Sequence, residues 1–272
     1  MKRRWMFWLF IVLLCISLVM VGCGDDDADE EEEPPEVPPT SVLNIDVSLF
    51  QEADLYRVTT DSLRCPHFDT AAGIVIVWGL LTELYFILPQ LAFGLAISQE
   101  PVYEGDLKWR WTLGNVEGNN ISLYGEILSI DSVQWDMRVT NLTLDDFLWY
   151  TGRCNTIVTG GWWQFNKEDS LGDEQEALFV EWERSSTTDT NATLTLINND
   201  IDHEGYGDTL RYHVESTTAN VFFHGNADPR PGEWNIIWDI VEYYGSIEYP
   251  EGLKSCWDDS LHCIECDSIP TM

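Results

Sequence analysis

Val133-Gln134-Trp135-Asp136-Met137-Arg138-Val139-Thr140 alternates apolar and polar side chains without a break. Successive side chains on a strand point to opposite faces, so this segment has one apolar and one polar face. A helix would need a repeat of 3.6 residues instead. The period of two recurs on both sides. Trp109 and Trp111 alternate with Lys108 and Arg110, and Leu178, Val180 and Trp182 with Glu181 and Glu183. Leu210, Tyr212 and Val214 alternate with Arg211 and His213, and Trp234, Ile236 and Trp238 with Asn235 and Asp239. Turn-forming residues lie between them: Gly118-Asn119-Asn120, Asp131-Ser132, Gly160-Gly161, Asn198-Asn199-Asp200 and Asp228-Pro229-Arg230-Pro231-Gly232. Short links between half-buried strands favour antiparallel hairpins taken in chain order. The expectation is a mainly β domain, an antiparallel meander of about ten strands forming a curved sheet or half-barrel.

Upstream, Gly73 to Ile97 is nearly uniformly apolar, with Glu83 as its sole charge. A helix that is apolar all round belongs in a core or in a membrane. Its length would allow a membrane span, yet Asp69 and Glu100 flank it and no basic residue anchors either end. A buried helix over about 73–98, laid on the apolar face of the sheet, covers both greasy surfaces at once. The β-branched opening Ile74-Val75-Ile76-Val77 keeps short strands as an alternative. Pro89 predicts a kink or a break near Leu88. In outline this architecture is similar to the half-barrels that carry lipids or lipoproteins across the bacterial envelope, although no residue motif of theirs is present.

At the N-terminus, Lys2, Arg3 and Arg4 precede an uncharged apolar run from Trp5 to Val21. That is the layout of a secretory signal peptide. The run ends in Met20-Val21-Gly22-Cys23, which resembles the lipobox of bacterial lipoproteins, with Met20 where that motif usually has Leu. The resemblance implies a signal peptide over 1–22, lipidation of Cys23, and a membrane anchor for the mature chain. An uncleaved anchor helix is the alternative. Residues 23–39 then form an acidic, Pro-rich tether, GDDDADEEEEPPEVPP after Cys23, kept extended by charge repulsion and proline. An acidic run directly after the lipidated Cys resembles a surface-export signal. The expected location is therefore the bacterial cell envelope, at the outer membrane or cell surface.

The chain has 272 residues, with Lys+Arg 14 against Asp+Glu 47 and a formal net charge of -33. Such a chain is no nucleic-acid binder, since phosphate contacts need clustered Lys and Arg. With 44% hydrophobic residues and 13 Trp it can build a core, and residues 40–272 read as one domain.

Five cysteines lie beyond the anchor: Cys65, Cys154, Cys256, Cys263 and Cys266. Outside the cytoplasm such residues usually pair. Cys256 with Cys263 or Cys266 would staple the tail, and Cys65 with Cys154 could tie the N-terminal segment to the sheet. A zinc site built from Cys65, His67, His262, Cys263 and Cys266, with Cys256 as a sixth ligand, is the competing reading, although Cys65-Pro66-His67 is not the usual partner of a Cys-x-x-Cys pair. Asp200, Asp202, Glu204 and Asp208 place oxygen donors near a Gly at the sixth position, as a calcium loop begins. Arg211 stands at the twelfth position, where an EF-hand has Glu, so an acidic hairpin loop is the simpler reading. Most of the Trp residues belong to the inner face. Trp162 and Trp163 are neighbours on a strand, so one of them faces outward and is open to a partner.

The five histidines fall in no nucleophile motif, and no Gly-rich phosphate loop is present. The expectation is a non-enzymatic, surface-displayed binding or structural module with a protein or glycan partner, needing no cofactor beyond a candidate calcium ion. A carrier enclosing a hydrophobic ligand between helix and sheet comes second, and a glycan-active enzyme third.

Overall fold

The computed structural model describes residues 33–38, 45, 48–50, 64–116, 118–186, 192–226 and 231–268. The signal segment, Cys23 and most of the tether lie outside the described residues. The chain divides into residues 1–33 and 34–272, and the description that follows is of the second unit.

In that unit the helix α1 spans Pro66–Ile97. Among the described residues fourteen strands follow: β1 (Val102–Gly105), β2 (Lys108–Val116), β3 (Asn119–Ser129), β4 (Ser132–Thr140), β5 (Phe147–Cys154), β6 (Gly160–Glu168) and β7 (Glu174–Glu183). Then come β8 (Thr193–Asn198), β9 (Thr209–Glu215), β10 (Thr218–Gly225), β11 (Gly232–Asp239), β12 (Gly245–Glu248), β13 (Lys254–Trp257) and β14 (Cys263–Ile264). All pair antiparallel with their chain neighbours in one sheet of order β1 to β14, and the sheet is open because β1 and β14 do not pair with each other. The expected count of ten falls short. β1, β12 and β13 have four residues each and β14 has two, too few for an alternation of two to stand out.

The helix starts seven residues before the expected 73. Pro66 occupies the first turn, where its missing N–H costs nothing, and Cys65 caps it in extended conformation. The mixed stretch His67-Phe68-Asp69-Thr70 hid this turn from a reading based on apolar runs. At Pro89 the helix neither breaks nor ends. One proline removes a single ladder bond, and Pro89 is itself buried, so packing holds the helix together.

Ring contacts follow the length of α1. Phe68 meets Trp257 on β13, Trp78 meets Phe223 on β10, Phe86 meets Phe165 on β6, and Phe93 meets Trp135 on β4 and Trp163 on β6. From Phe68 to Phe93 the helix rises about 38 Å. Nine strand spacings from β4 to β13 span about 43 Å. The two lengths match, so the aromatic side chains of one helix reach across most of the sheet.

On the inner face, tryptophan and glycine are register partners. Trp109, Gly125, Trp135, Gly152, Trp163 and Val180 succeed one another across β2 to β7. A Cβ on Gly152 would lie 2.1 Å from the Trp163 ring, so the indole occupies space that only glycine leaves free. The β6 residues Trp163 and Phe165 and the β4 residues Trp135 and Met137 are all buried in this layer.

Among the described residues two disulfides close the structure: Cys65–Cys263 and Cys256–Cys266. The suggested Cys65–Cys154 link is not made. Cys154 is free and buried on β5, far along the sheet from the tail that receives Cys65. The zinc reading falls with it, because the four remaining sulfurs are bonded to one another. Arg64 bridges His262, and the Cys65 amide donates to the Leu261 carbonyl, so backbone pairing brings the start of α1 to the tail. No helix among the described residues is long and apolar enough to cross a membrane.

Candidate functional site

The outer face of the sheet carries a row that only strand register can assemble. Lys108, Glu126, Gln134, Arg153, Trp162, Glu181, Thr195, Arg211, Phe222, Asn235, Glu248 and Lys254 are successive cross-strand partners. None of the twelve is buried. Each contributes one side chain about every 4.8 Å across β2 to β13. Acid, base, amide, hydroxyl and aromatic groups are interleaved along it.

Trp162 lies near the middle of this row. Its neighbour Trp163 turns to the inner face, 5% exposed, with Tyr150 and Phe93 as ring partners. Trp162 instead stacks on Phe179, ring centroids 6.0 Å apart and planes 24° from parallel. Phe179 covers one side of the indole. The preceding outward position of β6 is Gly160, which has no side chain.

Beside Trp162 is a groove of about 660 Å³, lined by Gly160, Trp162, Glu181, Glu183, Arg184, Thr195 and Arg211 among others. A second groove of about 630 Å³ adjoins it and shares Glu183, Arg184 and Thr193. Arg184 is fixed in place by donating to the Val158 carbonyl. Glu181 and Arg211 are exposed and two strands apart on the row, with Thr195 between them. Thr193 Oγ1 lies 2.9 Å from His213 Nδ1 in the lining of the second groove.

The acidic loop after β8 is organised around a cation of the chain's own. Lys167 Nζ lies 2.5 Å from Asp200 Oδ1 and 3.0 Å from Asp202 Oδ2. Asp208 Oδ1 accepts from the Asn226 amide, and Glu204 is exposed. The four candidate calcium ligands are thus divided between a lysine, a backbone amide and solvent. Among the described residues no group of three His, Cys, Asp or Glu is placed to hold a metal.

From the other side of the same carboxylate, the Tyr85 hydroxyl of α1 donates to Asp200 Oδ2 at 3.3 Å. Burial works against ionisation of Asp200 and is the largest single influence on it. The Lys167 ammonium, the Asp202 amide and the Tyr85 hydroxyl together outweigh burial and hold the carboxyl below its ordinary value of 3.8. Hydrogen bonding to Asp200 likewise raises Lys167 above 10.5. A carboxyl lowered in the folded state contributes its stability above the ordinary value and loses it as pH falls through the lower folded value. Asp200→Asn is therefore expected to cost about 1.5–3 kcal/mol at pH 7. In urea unfolding at pH 7, 5, 4 and 2.5, the gap between wild type and variant should close below pH 4. A gap that stays constant to pH 2.5 would show that Asp200 contributes nothing through its charge.

Two further groups lie at the sheet–helix layer. Burial pushes the Cys154 thiol up to about 11, with the nearby Trp135 indole pulling the other way. Such a thiol is protonated and unreactive at neutral pH. The His67 Nδ1 atom lies 2.7 Å from the Tyr249 hydroxyl, beside the disulfides.

Sequence reasoning placed Trp162 and Trp163 on opposite faces of one strand but missed the groove, the outer row and the Tyr85–Asp200–Lys167 contact. Gly160-Gly161, taken only as a turn signal, was the one local mark of a bare patch beside an aromatic. No protein-family model matches this chain, and neither the curated proteins nor the solved structures contain a match.

Proposed function

We propose that this chain is a non-enzymatic binding module of the bacterial cell envelope. It would be lipidated at Cys23, held off the membrane by the acidic tether, and displayed at the outer membrane or cell surface. Its partner, a protein or a glycan, would meet the outer face of the sheet around Trp162. The observation that carries this reading is Trp162, an outward-facing aromatic that is not buried and lines a groove holding both donors and acceptors. Single apolar residues on a surface are ordinary, but an aromatic rising over a polar groove of ligand size is a recognition feature. Calcium would enter only as a bridge on the acidic surface, or at the Asp200 loop by displacing Lys167.

The test has two arms in the native host or a related bacterium. Labelled palmitate should enter the chain and be lost in Cys23→Ala, and protease added to intact cells should release the domain. Label retained in Cys23→Ala, or full protection from protease, would overturn the displayed-lipoprotein reading.

A second reading, the carrier of a hydrophobic ligand between helix and sheet, is favoured by one observation. Among the described residues, the Tyr150 hydroxyl and the indole N–H groups of Trp163 and Trp182 are buried on adjacent strands without a hydrogen-bond partner. Buried donors left unpaired cost about 1–3 kcal/mol each, so an acceptor bound among them would be stabilised. Native mass spectrometry of the mature chain separates the two readings: an adduct of lipid mass, lost on denaturation, would promote the carrier.

A further inference from the structure

We propose that the groove beside Trp162 binds a linear neutral glycan, with one pyranose stacked on the Gly160 side of the indole. This rests on the reading that the outer face is the contact surface, and it names the class of ligand.

Four observations converge. First, Trp162 lines the groove together with Gly160, the preceding outward position on the same strand, two residues and therefore about 7 Å away. A flat apolar ring beside an empty position offers the CH face of a sugar ring a surface of matching shape. Second, the charged lining of the groove is balanced, with Glu181 and Glu183 against Arg184 and Arg211. The whole chain carries 47 acids against 14 bases, so this balance is local. It favours neither cation nor anion, while vicinal hydroxyls can donate to the carboxylates and accept from the guanidinium groups. Third, Glu181, Thr195 and Arg211 follow Trp162 on consecutive strands. A polar group recurring at each strand spacing suits a chain of repeating, similar units lying across the strands. The second groove, sharing Glu183, Arg184 and Thr193, extends that path.

Fourth, the groove lies in the middle of the sheet. The backbone groups of β6 to β9 are already used in the ladder, so an extended peptide cannot add as a strand there. At about 660 Å³ the groove is of the size of a small-ligand site.

The test uses the full mature chain in native gels cast with soluble neutral polysaccharides (mixed-linkage glucan, xyloglucan, galactomannan) and, separately, with anionic polygalacturonate. Retardation in at least one neutral gel is expected, with titration calorimetry on the matching hexasaccharide giving the affinity. Trp162→Ala should weaken binding at least tenfold. Gly160→Leu should do the same by filling the groove. Its backbone is not in the left-handed region, and a Cβ there meets its nearest atom at an ordinary 3.4 Å, so that variant keeps the fold. Unchanged melting temperatures in both variants would tie the loss to the groove. No retardation by any neutral polymer, retardation by polygalacturonate alone, or retardation that survives both variants would overturn the proposal. A photo-crosslinker at position 179 that captures one defined envelope protein, with every gel negative, would overturn the glycan and leave the displayed binding module standing.

Discussion

Replacing Cys65 and Cys263 together by alanine is expected to remove about 5 kcal/mol of stability, the largest loss available from a single crosslink in this chain. The two residues are 198 positions apart, so the bond closes a loop around α1 and nearly the whole sheet. Loop-closure entropy grows with the logarithm of loop length, and a crosslink of that reach restricts the unfolded chain far more than a local one. By the same relation Cys256–Cys266, ten positions apart, should contribute about 3 kcal/mol. Cys65 is also completely buried at the foot of α1, beside Phe68, so its loss adds a small cavity to the entropic effect. Urea unfolding of the two double variants under oxidising conditions checks the order. Equal losses, or a larger loss from the ten-residue link, would mean that the tail docks on α1 without help from the long bond.

The second large effect is expected at the Trp163–Gly152 contact. Trp163→Ala should cost about 3–5 kcal/mol, because the ring is buried and packs on both Phe93 of α1 and Tyr150. Gly152→Ala should cost about 3 kcal/mol, since its new methyl group would overlap the Trp163 ring and come within 2.7 Å of the Trp162 carbonyl oxygen. Combining the two should cost less than the sum of the single losses, because removing the ring also removes most of the clash. The backbone carbonyl cannot move as easily, so the rescue is partial. Strictly additive losses in a double-mutant cycle would show that ring and glycine are not the coupled pair the geometry makes them.

How much of this was legible beforehand varies from element to element. The alternation of Val133, Trp135, Met137 and Val139 is a property of neighbouring residues, and it gave both the strand and its buried face. The helix was legible as an apolar run, but its first turn was not, since Pro66 to Thr70 look irregular without the tail that packs on them. Disulfide partners could not be chosen, because Cys65 meets Cys263 only after thirteen intervening strands have been laid side by side. In the acidic loop, carboxylate spacing suggested an ion. What lies against Asp200 is Lys167, which is 33 residues away and brought near it by the order of β6, β7 and β8.

The same division holds for the site. Sequence alone determined that this is a strongly acidic, mainly β chain in chain-order hairpins, and that Trp162 and Trp163 point to opposite faces, because both follow from composition and a two-residue period. Tertiary structure decided which of the two faces outward, what stands beside it, and that Glu181, Thr195 and Arg211 continue its row. Those relations depend on register between strands, and register is set by packing across the whole sheet, where no local pattern records it.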